Sequence, residues 1–559
     1  MRIRSVCSAF LAVVALSATA SFAQTRNDVY AITNAKIVTV SGATIDKGTI
    51  VVRNGLIESV GASVTVPADA RVIDASGHTV YPGFIDASGS LGIPQSPAAA
   101  QQARGGGGGG GFPGAQQPAA PATNSNYPAG LQPELMASEQ LRGGDAQFDS
   151  ARAAGFTSAL SVGRDGIFNG QSVFIGLSGD AVSSMIIKSP VGMHFSFRTI
   201  PGTYPGSLLG TFSAFRQMMY DAKRLWSQEK AYAANPKGMR RPEADRSLQA
   251  LYPVLEGKMP LMIGAVSENE IIRALDLLKE FGVKGVIVGG HEADKVAARL
   301  KQQNVPVIFS LNLPKRTAAA SADADPETLE TLRLRAAVPK VPAELAKAGV
   351  TFTFTSGGLT NLNDFWTNTG KVIEAGLSKD AAVRAMTLGA AELFGVSDRL
   401  GSVEAGKIAN LTVVRGDITD KERFISHVLV DGKLYEQKER PRERPSGGAG
   451  GAGGGRSAEA TSISGVYKIT VEIPGQPLPG TMTFTQQGGS MTGTLQTALG
   501  TAEIRNGRVN ENGFSFAATV DYGGMPIDLT ASGKVTGTSI SGTIDSPQGS
   551  IPFSGTKNP

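Results

Sequence analysis

Four histidines are all the imidazole this chain has: His78, His194, His291 and His427. The single cysteine, Cys7, sits at the front of an apolar leader stretch, so the rest of the chain offers no thiol for a metal, a disulfide or a nucleophile. Catalytic zinc takes three protein ligands rich in imidazole. A metal centre here would therefore need carboxylates such as Glu292 or Asp364 beside two of the histidines. Ser88, Ser90 and Ser356 can hydrogen-bond a polar ligand, but none has an evident His–acid relay to make it a nucleophile. His194, in the run Gly192-Met193-His194-Phe195-Ser196-Phe197, reads as a half-buried, hydrogen-bonded histidine. His291 reads either as a pocket group or as the residue that precedes a helix. Asp364, within Asn361 to Trp366, reads as a helix-start residue.

The 559 residues suffice for two or three domains, and the hydrophobic share of 41% suits a water-facing surface over a sizeable core. Net charge is +5, of which Arg2 and Arg4 supply two, leaving +3 without them. The basic residues are interspersed with acids, as in Lys438 to Arg444. No basic stripe exists, which excludes nucleic acid as a partner. Arg2 and Arg4, the apolar Val6 to Leu16 and the small residues Ser21-Phe22-Ala23 compose a secretory signal over residues 1–23. Its apolar stretch is too short to span a bilayer, and no later segment is apolar for long enough. The expectation is an exported, periplasmic chain without membrane insertion.

The rhythm of the chain changes twice. From Val29 to Asp86 short β-branched runs prevail, Ala35 to Val40 and Gly48 to Val52, with Asn54-Gly55 as a hairpin turn. From about Phe156 strands alternate with helices: strand Pro260 to Val266, helix Glu268 to Phe281, strand Lys284 to Gly290, a helix around Val296 to Leu300, and strands Val305 to Leu311 and Thr351 to Thr355. That alternation predicts a parallel sheet with helices outside it, closed as a TIM-like barrel. One helix is expected over Lys379 to Leu393, then strands Leu400 to Val403, Ala409 to Val414 and His427 to Leu434, the last turning at Asp431-Gly432. Residues 101–130, with Gly105 to Gly111 unbroken, form a Gly/Pro/Ala-rich insert that cannot bury enough apolar surface to order itself. Residues 437–460 compose a second such tract, a flexible linker. Beyond it, residues 461–559 alternate apolar and small polar residues with frequent glycine turns, an antiparallel barrel or sandwich. This domain holds no histidine, so it suits ligand holding or attachment better than chemistry.

Residues Val80-Tyr81-Pro82-Gly83-Phe84-Ile85-Asp86-Ala87-Ser88-Gly89-Ser90 resemble the start of the catalytic barrel in the metal-dependent amidohydrolase superfamily. So do Gly389 to Val396 and Gly401 to Leu411, and the likeness is nearest to the imidazolonepropionase-like branch. The resemblance implies a composite β-sandwich from residues 24–81 and 396–436, flanking a barrel over 82–395. It also implies a metal-activated water that hydrolyses C–N bonds. Its ligands would be a His-x-His pair after strand one, histidines after strands five and six, and an Asp after strand eight. At those positions this chain has Ser88 and Ser90, Gly264, His291 within one or two residues, and Gly357; Asn410 replaces a structural Asp. Only His194 and His291 can reach a barrel site. Ser88, Ser90, His194, Gly264, His291, Ser356 and Asp364 are thus the residues expected to line the pocket. Two readings follow. The first is a catalytically degenerate barrel with no cofactor that binds a small molecule or a periplasmic partner. The alternative is a hydrolase of cyclic-amide-like C–N bonds with a non-standard zinc site built on His194 and His291.

Overall fold

The structure, a computed structural model, describes residues 29–94, 127–437, 439 and 463–558, apart from 129, 145, 164–165, 180, 200–203, 317–326, 421, 474–475, 488–489, 498–499, 511–512, 523–524 and 547–548. The secretory signal, most of the glycine-rich insert and most of the linker lie outside the described residues. The chain divides into two compact units, one ending at Pro441 and one holding the C-terminal strands.

The larger unit opens with five strands: β1 (Tyr30–Ile37), β2 (Ile45–Arg53), β3 (Leu56–Gly61), β4 (Arg71–Asp74) and β5 (His78–Pro82). The β2–β3 turn is the predicted Asn54-Gly55 pair, with φ of 51° and 80°, values that β-branched residues avoid. The barrel begins with β6 (Phe84–Gly89) and β7 (Phe156–Ser161), paired in parallel. There the regular repeat breaks. A bent ribbon of β8 (Phe168–Gln171) and β9 (Val173–Gly176), with β10 (Ile186–Lys188) on its edge, fills the next place. β9 runs antiparallel to β7, and β8 antiparallel to β11 (Met193–Ser196). The remaining strands are all parallel: β12 (Leu261–Ala265), β13 (Gly285–Gly289), β14 (Val307–Ser310) and β15 (Phe352–Thr355). The expected TIM-like barrel is therefore seven parallel strands patched by one antiparallel ribbon.

Strand alternation separates two cores. Ile85, Ala87, Leu160, Phe174, Met262, Val286 and Ile308 form one apolar cluster inside the barrel. Phe84, Phe156, Phe195, Ile263, Ile287, Phe309 and Phe354 belong to the cluster between strands and helices. Each fully buried side chain of this size contributes about 1.5–3 kcal/mol. Outside lie the long helix α1 (Leu208–Ala234), capped by Ser207, and α2 (Glu268–Phe281). In α2 Ser267 and Glu270 form a reciprocal capping box, and Gly282 ends the helix at φ 64°.

The predicted helix Lys379 to Leu393 is two: α3 (Lys379–Ala385) and α4 (Leu388–Phe394). Thr387 leaves helical geometry between them (φ −131°, ψ −98°), and the Met386 carbonyl turns to accept from Ile85 N at 2.8 Å. Leu400 to Val403 is not a strand either. Gly401 takes φ +95° against Ala391, a loop packing that only glycine accepts without strain. Three last strands, β16 (Leu411–Arg415), β17 (Phe424–Val430) and β18 (Lys433–Glu436), extend the first sheet through β5. The two ends of the unit thus meet as the resemblance implied, but in one eight-stranded sheet with its own core rather than in two separate sheets. Asn410 joins sheet to barrel: its Nδ2 donates to Ser158 Oγ at 3.1 Å, and its Oδ1 accepts from Asp431 N at 2.8 Å.

The C-terminal unit is an antiparallel meander from Gly465–Ile473 to Gly549–Lys557, whose first and last strands pair. Eight strands close into a barrel, with the short Gly500–Glu503 attached beside them. Closure leaves no open edge within the ring. Tyr467, Met482, Phe484, Phe514, Phe516 and Phe553 fill the interior, so it is a packed core rather than a ligand cavity.

Candidate functional site

Active sites of parallel barrels form where the strands end at their C-terminal face. Here those ends are laced together around Asp86. Its side chain is 1% exposed, at a place where an apolar strand would hold an apolar residue. Thr355 Oγ1 donates to Asp86 Oδ1 at 3.1 Å, Ser356 N donates to the same oxygen at 2.9 Å, and Ser356 Oγ donates to Oδ2. Thr355 Oγ1 also reaches the Ser88 carbonyl, and the Ser88 backbone N–H bonds to the Asp86 carboxylate. Burial raises the Asp86 pKa, and the hydrogen bonds from Ser356, Thr355 and Ser88 oppose that rise.

The lacing continues onto strands six and seven. His291 Nε2 lies 3.0 Å from the Ser310 carbonyl oxygen. A carbonyl only accepts, so Nε2 holds the proton of a neutral ring, in keeping with a pKa lowered by burial. Ser310 Oγ in turn donates to the Gly357 carbonyl at 3.1 Å. β13, β14, β15 and β6 are thus joined by hydroxyl, carboxylate, imidazole and carbonyl groups, each satisfying a neighbour.

Inside this belt the mouth is open to water. Ser196, Gly264, Val288 and Ser310 share the inward parity of their strands and are half-exposed, whereas the inward residues below them are buried. They line a bowl. A Cβ added at Gly264 would meet only ordinary contacts, the nearest being Ser196 Cβ at 3.4 Å, so the glycine leaves space there. His194 lies two residues below Ser196, about 6.6 Å down the strand. It shares the inward parity and pairs with Met262 of the barrel interior. The sequence expectation of a half-buried, hydrogen-bonded ring needs correction: His194 is 6% exposed and its Nε2 has no hydrogen-bond partner. Burial lowers its pKa to about 3, so the ring is neutral.

The other expected pocket residues fall elsewhere. Ser88 is half-buried and Ser90 buried; the Ser90 carbonyl accepts from Ile93 N at 3.0 Å. Asp364 sits in the first turn of helix Asn363–Glu374, and Lys315 Nζ donates to its carboxylate at 2.7 Å. His78 and His427 lie on β5 and β17 of the flanking sheet. Asp86, Thr355 and Ser310 were missed by sequence reasoning. The one signal was a carboxylate set between Phe84-Ile85 and Ala87 in an otherwise apolar strand.

These residues do not fit a divalent-metal centre. Of the positions that the resemblance assigns to ligands, only the strand-six one holds an imidazole, His291, which is bonded to the Ser310 carbonyl; the others hold hydroxyls or no side chain, and a neutral hydroxyl is a poor ligand beside imidazole. At Gly357 a Cβ would lie 3.1 Å from the Ser88 carbonyl oxygen, tighter than an aspartate there could accept without displacement. Asp86 spends its lone pairs on the hydrogen bonds described. Among the described residues no group of three or more His, Cys, Asp or Glu is placed to hold a metal ion. The C-terminal barrel has a groove of about 900 Å³ lined by polar residues such as Lys468, Thr470, Thr481 and Ser541, the ordinary outer face of a solvated sheet.

The family model described as Amidohydrolase family matches residues 256–435. No curated protein matches the chain. Among solved structures, an amidohydrolase from Thermotoga maritima MSB8 is 24% identical, with a TM-score of 0.60, over 73% of this chain and 100% of that one. A prolidase complexed with N-methylphosphonate-L-proline shows 16% identity and a TM-score of 0.47 over 73% of this chain and 100% of its own. A Xaa-Pro dipeptidase with bound methionine shows 16% and 0.43 over the same shares. The family match and the likeness to the Thermotoga maritima structure give the larger unit the amidohydrolase fold.

Proposed function

We propose that this chain is an exported, periplasmic member of the amidohydrolase superfamily, nearest its imidazolonepropionase-like branch, in which the barrel no longer hydrolyses anything. It binds a small molecule at its mouth. The observation that supports this reading is the belt centred on Asp86. In a metallohydrolase a cation both activates water and ties the strand ends together. Here the tying falls to Thr355, Ser356, Ser310 and His291, and these four side chains are engaged with Asp86 and with the carbonyls of Ser310 and Gly357. The export signal and the absence of a described helix long and apolar enough to cross a membrane agree with a chain released outside the cytoplasm. Fold alone does not settle activity, because activity belongs to the site. The test is turnover of Xaa-Pro dipeptides and cyclic amides by the purified full chain, with and without added Zn²⁺ or Mn²⁺. Rates at the buffer background are expected. Metal-dependent turnover, abolished by His194→Gln or His291→Gln, contradicts the reading and restores the hydrolase alternative.

A further inference from the structure

We propose that His194 anchors an uncharged small molecule seated in the barrel mouth, whose hydrogen-bonding group meets the ring at Nε2. This rests on the reading of the mouth as a binding site and adds the chemistry of its occupant. Three observations carry it. A polar atom this deep without a partner is destabilising, so a group that meets it recovers that cost. The layer directly above the ring is roomy: Gly264 leaves the strand-five side of the bowl without a side chain, and Ser196 and Ser310 stand partly exposed there. Among the described residues, the titratable groups around the bowl other than His194 are already engaged with protein partners. The Asp86 carboxylate is occupied by Thr355, Ser356 and Ser88, and His291 is held neutral against Ser310. Asp364 is paired with Lys315 at 2.7 Å. An ion entering here would lose its hydration with no free counter-ion among these described groups in return. A neutral amide or alcohol loses far less, and can donate to or accept from whichever form Nε2 takes.

The test uses the full chain labelled with ¹⁵N-histidine and long-range ¹H–¹⁵N spectra of its four imidazoles. The His194 signal is the one that vanishes in His194→Gln. Propionamide, propionate and propylammonium serve as probes of one size and three charges. Propionamide is expected to move the His194 Nε2 resonance saturably, at least tenfold more tightly than either ion. Gly264→Leu, which removes no hydrogen bond, is expected to abolish that response while the His194 signal persists. An Nε2 resonance unmoved by propionamide, as a permanently held water would leave it, overturns the proposal. So does an equal response to the ions, or one that survives Gly264→Leu. Turnover or bound zinc in the same sample sinks the non-hydrolytic reading, and is read separately from the titration.

Discussion

Asp86 is 270 residues from Ser356 in the chain and directly beside it in the fold. It holds the two ends of the barrel together through donors that suit a carboxylate. Asp86→Asn turns one acceptor oxygen into an NH₂ facing donors, and the expected loss is about 1–3 kcal/mol in urea unfolding. An unchanged midpoint would show that the belt does not join the strands. His194 makes a second residue-scale prediction. Its folded pKa, about 3, lies below the ordinary 6.5. Between those values the unfolded chain binds a proton that the folded chain refuses, so this contribution to stability rises with pH and is complete above 6.5. At about 1.4 kcal/mol per unit the span is on the order of 5 kcal/mol. His291 and His427, also lowered by burial, add the same sign. Asp86, raised by burial, has the opposite sign: its contribution falls as pH rises above 3.8 through its folded value. Unfolding midpoints at pH 4 and pH 7 should differ markedly in the native chain and less in His194→Gln. An equal difference in both would place a proton on His194 in the folded state.

At the scale of elements, the sequence was readable where local signals and tertiary demands agree. Asn54-Gly55 forms its turn, the helix predicted over Glu268 to Phe281 has those bounds, and the strands around Ile263, Ile287, Ile308 and Phe354 lie within a few residues of expectation. Reading failed where a distant partner decides. Met386 breaks the predicted long helix because Ile85, 301 residues earlier, takes its carbonyl. The ribbon Phe168 to Gly176 was not foreseen because its strands are four residues each, too short for periodicity to show. Of the site, the serines and glycines at the positions that the resemblance marks could be read residue by residue, whereas the belt around Asp86 could not. Its donors and acceptors come from four neighbouring strands whose residues are scattered from Asp86 to Ser356 along the chain. The ribbon carries its own prediction. Gly170 sits at φ +82°, and a Cβ there would collide with the Leu135 carbonyl. Gly170→Ala should therefore cost more than about 1 kcal/mol in urea unfolding. A neutral or stabilising result would mean that the ribbon is not held as described.

At the scale of the molecule, each unit encloses its own hydrophobic core, and their roles differ by composition. The C-terminal barrel is closed, is filled by apolar side chains such as Tyr467, Phe484 and Phe514, and has no histidine. The larger unit has the amidohydrolase fold, a barrel beside a flanking sheet, and its strand ends carry Ser88, Ser90, Gly264, His291 and Gly357. The most direct measurement is the metal content of the purified full chain after incubation with excess Zn²⁺ and exhaustive dialysis. Retained zinc well below one equivalent per chain is predicted. One equivalent held through dialysis, and lost in His194→Gln or His291→Gln, would contradict the account.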